Sequence, residues 1–136
     1  MDSIWTTLYK EAKDKLNASS ISPFIEYGNN SCAILGENNK IYCGINITSN
    51  TSISNSAEES AIMSMLNDKE NKIKKMVILN ELEEVITPSD ICFDYLLEFC
   101  QNPDEVEILV DFNKKKVCKL SELIPEWWGT FRNRKN

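Results

Sequence analysis

Long apolar runs are absent: nothing in the chain approaches the about eighteen consecutive apolar residues that a membrane-crossing helix requires. The opening Met1-Asp2-Ser3-Ile4-Trp5 also lacks the basic region and apolar stretch of a secretory signal, so the cytoplasm is the expected compartment and no membrane partner is expected. Cysteine is present, but not as a framework. Cys32, Cys43, Cys92, Cys100 and Cys118 are odd in number and scattered through mostly apolar segments, the usage of reduced, buried thiols rather than of disulfides. Clustered positive charge is missing too. A formal net charge of −6 argues against broad contact with a phosphate backbone, which needs grouped Lys and Arg to displace counterions, and nucleic acid is not an expected partner. The basic tail Arg132-Asn133-Arg134-Lys135 reads as a solvated terminus.

What is there is enough for a conventional core. At 136 residues the chain can bury roughly two thirds of the surface its unfolded form exposes, so a single domain over residues 1–136 is expected to fold without a staple. Ile4, Trp5, Leu8, Tyr9, Ala12 and Leu16 recur at helical spacing with charged residues between them, which predicts an amphipathic first helix. Cys32-Ala33-Ile34-Leu35 and Ile41-Tyr42-Cys43-Gly44-Ile45 flank the turn formers Gly36-Glu37-Asn38-Asn39 and predict a β-hairpin. A loop rich in Asn, Ser and Thr follows, then a second helix through Ala57, Ala61, Ile62 and Leu66.

Lys74 to Leu79 reads as a strand, and a third helix is expected from Pro88, with Ile91, Cys92, Tyr95, Leu96 and Phe99 on one side. Val106 to Val110 and Lys116 to Leu120 complete the strands, with a short terminal helix or turn over Leu123 to Trp128. A hairpin followed by crossovers must return over the faces of one sheet. The expected fold class is therefore α/β, a three-layer α-β-α arrangement with a mixed five-stranded sheet and helices on both faces.

Two motifs carry chemistry: Ser56-Ala57-Glu58-Glu59-Ser60-Ala61 and, about thirty residues on, Pro88-Ser89-Asp90-Ile91-Cys92. With Ser22-Pro23-Phe24, Gly44-Ile45-Asn46-Ile47-Thr48 and Leu123-Ile124-Pro125 ahead of Trp127 and Trp128, their order and spacing resemble the cytidine deaminase family. The resemblance runs from about Leu16 to Gly129. Such enzymes carry Cys-Ala-Glu and Pro-Cys-x-x-Cys at these places, hold zinc with the cysteines and use the glutamate as proton shuttle in hydrolytic removal of the C4 amino group. The resemblance implies that Glu58 matches the shuttle and Cys92 one zinc ligand, while Ser56 and Ser89 stand at the other two ligand positions. It also implies that Phe24, Asn46, Thr48 and Ala57 occupy the nucleoside-binding positions, and that copies of the chain assemble as a homodimer or homotetramer.

A serine hydroxyl stays protonated near neutral pH, whereas a cysteine thiolate gives zinc a soft, charged ligand at about 2.3 Å. The expectation is a cytidine deaminase-like protein that has lost its zinc and its hydrolytic activity and needs no cofactor, keeping a pocket for a pyrimidine nucleoside, a small anion or a partner. The alternative is a working deaminase with an altered metal site, in which zinc returns as cofactor. Phe93 and Glu59 stand where the family often has arginine, and Thr48 where it has glutamate, so the departures extend beyond the two serines. The same residues also have readings without chemistry. Ser56-x-x-Glu59 is a capping box, Thr87 and Pro88 suit the start of the third helix, Glu58 is a first-turn carboxylate favoured by the helix dipole, and Cys92 a packed thiol.

Overall fold

The computed structural model describes residues 3–50 and 54–123. The expected terminal helix beyond Leu123, the Trp127-Trp128 pair and the basic tail lie outside these residues. Among the described residues no helix is long and apolar enough to cross a membrane.

The chain runs α1 (Ser3–Lys15), β1 (Ser19–Ser22), β2 (Ile25–Gly36), β3 (Ile41–Ser49), α2 (Ala57–Asn67), β4 (Ile73–Leu79), β5 (Val85–Ile86), α3 (Asp90–Phe99), a 3-10 turn (Pro103–Glu105), β6 (Glu107–Asp111), β7 (Lys116–Lys119) and α4 (Leu120–Leu123). One sheet takes in every strand. Its spine is β3-β2-β4-β6-β7, antiparallel except for the parallel β4/β6 pair that α3 connects. The three-layer α/β fold is as the sequence predicts.

The strand count is not, because among the described residues seven strands form where five are expected. Short β1 pairs with the first residues of β2, and two-residue β5 pairs with the end of β4, so each extends a longer neighbour rather than adding a row to the sheet. Both lie in segments too short and polar for alternation to register. Leu120, expected to end the last strand, instead starts α4 and is fully buried.

Alternation along the strands divides the core in two. Cys32, Ile34, Met76, Ile78 and Ile108 face α2 and α3, where Ala61, Ile62, Met65, Phe93 and Leu96 meet them. Ala33, Leu35, Val77, Leu79 and Leu109 face the other way, against Trp5, Leu8 and Ala12 of α1. The period of two in the strands and of 3.6 in the helices thus puts α1 alone on one face and the two motif-bearing helices together on the other.

Two glycines set where those helices and strands can sit. Gly44 of β3 lies directly under α2, and a Cβ there would fall 2.2 Å from the Ala61 nitrogen and 2.7 Å from the Ala57 oxygen. The helix therefore rests on bare backbone. Gly28, at φ +79°, opens a bulge in β2 that places three residues, Gly28 to Asn30, opposite Asn46 of β3. The outer strand β7 carries exposed lysines at both its ends, Lys116 and Lys119.

Candidate functional site

Both motif helices begin on a serine. Ser56 is the N-cap of α2: its Oγ accepts the Glu59 N–H at 3.1 Å while Glu59 Oε1 accepts the Ser56 N–H at 3.0 Å, closing the expected capping box. Ser89 is the N-cap of α3, accepting the Cys92 N–H at 3.4 Å. This corrects the expected start of α3. Pro88 lies before the cap instead of in the first turn, and Thr87 is not the cap, because a serine two residues later reaches the third helical nitrogen.

The two caps meet at Cys92: both serine hydroxyls and the Glu58 carboxylate lie close enough to its thiol to shift its proton affinity, so one side chain sits between the starts of both helices. Burial pushes the Cys92 thiol up from its ordinary value, and the two serines oppose that shift. Glu58 is 6% exposed. It lies in the first turn of α2, as the dipole reading expects, but it is buried while Glu59 takes the capping role. Burial raises the Glu58 pKa, and its backbone and Cys92 hydrogen bonds work against the rise.

A buried carboxyl with a raised pKa binds its proton more tightly folded than unfolded, so its contribution to stability is greatest below the unfolded pKa and falls as pH rises through the folded one. Glu58→Gln is accordingly expected to melt at a higher temperature than the parent at pH 8, with the gap closing toward pH 4. A gap independent of pH would place the carboxylate in solvent. Melting followed by circular dichroism across that range reads the difference.

The residues at the nucleoside-binding positions are less concentrated. Asn46 is pinned through both ends of its amide: Oδ1 accepts the Asn30 N–H at 2.8 Å, and Nδ2 donates to Thr48 Oγ1 at 3.2 Å. Ala57 is buried in the first turn of α2. Phe24 sits at the β1–β2 turn, 63% exposed, its carbonyl accepting from Asn50 just past β3. The structure thus brings together Ser56, Glu58, Ser89 and Cys92, pairs Asn46 with Thr48, and leaves Phe24 on the surface.

Two neighbours escaped the sequence reading. Cys32 is fully buried on the same sheet face, its thiol pushed well up by burial and then by the charges of Glu58, Cys43 and Cys92. In the sequence it is one apolar strand residue among several. Asn29, in the bulge opposite Asn46, keeps an Oδ1 shielded from solvent with no hydrogen-bond partner. Its signal was the Gly28-Asn29-Asn30 run interrupting an otherwise apolar strand.

The chain has no histidine, the two serine hydroxyls are engaged as helix caps, and Cys92 is the one thiol at the junction. Among the described residues no group of three or more Cys, Asp or Glu side chains is arranged to hold a metal ion.

A mixed sheet with α1 on one face and α2 and α3 together on the other is the cytidine deaminase fold, and solved structures bear the fold out. The chain superposes on cytidine deaminase from Mycobacterium tuberculosis with a TM-score of 0.73 at 20% identity, over 94% of this chain and 99% of that one. The Mycobacterium leprae enzyme gives 0.72 at 21% identity, over 92% and 100%. Cytidine deaminase from Bacillus anthracis gives 0.71 at 21% identity, over 98% and 95%. No protein-family model and no curated protein sequence matches the chain.

Proposed function

We propose that this chain is a cytidine deaminase-fold protein that neither holds zinc at the position used by that fold's enzymes nor deaminates, and that it binds a small ligand of the pyrimidine nucleoside class. The observation that carries the reading is the pair of serines. Each stands where a thiolate is needed, and each already accepts a helix N–H. With one thiol left, a divalent cation finds a single strong ligand where catalytic zinc normally has three protein ligands. Without the ion, Glu58 has no acidic water beside it to work on.

The nucleoside part rests on Asn46, fixed in orientation by Asn30 and Thr48, and on the unpartnered acceptor of Asn29 in the adjoining bulge. A shielded acceptor without a donor is a place where water or a ligand hydroxyl is taken up. Thr48 itself gives a neutral hydroxyl where the enzymes of the resembled family have a carboxylate, so sugar contacts are weaker on this side. Exposed Ile21 and Phe24, at 73% and 63%, add an apolar surface on which copies of the chain would associate as a dimer or tetramer.

Thermal shifts with cytidine, deoxycytidine and cytidine monophosphate test the binding. A ligand at about a hundred times its dissociation constant is expected to add about 2.7 kcal/mol of stability, and Asn46→Ala to remove most of that gain. No shift with any of the three at millimolar concentration would sink the nucleoside reading. Ammonia release from cytidine that Glu58→Gln abolishes would instead establish the alternative, a working deaminase.

A further inference from the structure

The helices that start at Ser56 and Ser89 end together at the other side of the molecule, over a cavity of about 450 Å³. That volume lies in the range of small-ligand sites. Its apolar part is Ile73 from the start of β4 and Phe99 from the end of α3, at the edge of the core, with exposed Leu66 from the end of α2 at the rim. Glu37, from the β2–β3 turn, and Glu105, from the 3-10 turn, supply carboxylates, and Lys72 is the cation among the lining residues.

The electrostatics of this cavity are one-sided. A helix C-terminus carries the negative end of the dipole, and here two helices bring that end to one place, the Met65 and Leu66 carbonyls of α2 being capped by the N–H groups of Asp68, Lys69 and Glu70. Neither α2 nor α3 has a basic residue in its last turn to offset it. Two carboxylates and two helix C-termini therefore face one lysine. Phe99 meanwhile remains only partly covered and Leu66 is exposed.

We propose that this cavity is a binding site for a small organic cation, an ammonium group carried on an apolar ring or chain. The ammonium would sit toward Glu37, Glu105 and the helix ends, and the apolar body would cover Leu66, Ile73 and Phe99. The site is separate from the Ser56, Glu58, Ser89 and Cys92 cluster and does not depend on what that cluster binds.

The test is titration of the full ¹⁵N-labelled chain with benzylamine, followed by amide chemical shifts, with benzyl alcohol and benzoate as neutral and anionic counterparts of the same shape. Saturating shifts are expected at Ile73, Gln101, Asn102, Asp104 and Glu105, with benzyl alcohol binding about tenfold more weakly and benzoate not at all. Glu37→Gln with Glu105→Gln should bring benzylamine down to the level of the alcohol. Leu66→Trp, at the exposed rim, should fill the cavity and abolish binding while the spectrum elsewhere stays that of the folded parent. Absence of saturating shifts at these amides, equal binding of alcohol and amine, or shifts centred elsewhere would overturn the proposal.

Discussion

Ser56→Cys combined with Ser89→Cys is expected to turn the chain into a zinc protein. Cys92 already lies against both serine hydroxyls, so two added thiols would stand beside the third where their side chains converge. Three thiolates with a fourth, open position form a zinc donor set of the catalytic kind, and binding would release their protons. The metal-free double variant should be less stable than the parent, because cysteine replaces a helix cap at both positions and each lost cap costs about 1 kcal/mol. Zinc at about a thousand times its dissociation constant should then return about 4.1 kcal/mol and reverse the order. Metal content after gel filtration, with melting curves with and without chelator, reads both effects. A folded double variant that retains no zinc would show that positions 56 and 89 are not where the ligands of the resembled enzymes fall. The parent carried through the same steps is expected to emerge metal-free.

Gly44→Val should damage the fold more than any single change at the cluster itself. Even the first carbon of a side chain would meet the Ala61 nitrogen at 2.2 Å and the Ser60 carbonyl carbon at 2.7 Å, contacts that only a movement of α2 can relieve. Overpacking of a filled core typically costs about 1–3 kcal/mol, and the obstacle here is helix backbone, which cannot change rotamer, so a loss at or above the top of that range is expected. Urea denaturation measures it. Because α2 carries Ser56 and Glu58, the displacement should also separate both from Cys92, and the cysteine should react faster with a thiol reagent in whatever fraction stays folded. A valine variant as stable as the parent would show that helix and strand are not in the contact described. Gly44→Ala, which adds the Cβ alone, should fall between the two.

The sequence displayed the architecture because its strands and helices sit in strong periodic patterns. Ile34 and Leu35, or Met76 and Val77, point to opposite faces, and both faces are buried, so the strands read as apolar runs bounded by turn formers. The strands it hid have no such pattern: Ser19–Ser22 is almost wholly polar, and Val85–Ile86 is two residues held by the end of β4. At the site, the capping box was legible because it is local, spanning four residues. The same box assigns Glu59 to the cap and leaves Glu58 for the shuttle position, but the burial of Glu58 depends on the phase of α2 over Gly44, which no short window contains. Cys32 illustrates the same limit. Its nearness to Glu58 and Cys92 follows from the β2–β3–β4 register, a long-range relation that no window of sequence contains.

The lysines that bracket β7 bear on how this protein behaves at high concentration. An outermost strand offers a row of unused backbone donors and acceptors to any other strand that drifts past, and sheets that grow this way end as insoluble fibres. Lys116 and Lys119 place a positive charge at either end of that row, both exposed. A second copy approaching edge to edge would bring its own pair against them, and like charges so aligned repel. Among the described residues the sheet ends at β7, and replacing both lysines with threonine would keep the strand while removing the charges that keep the molecules apart.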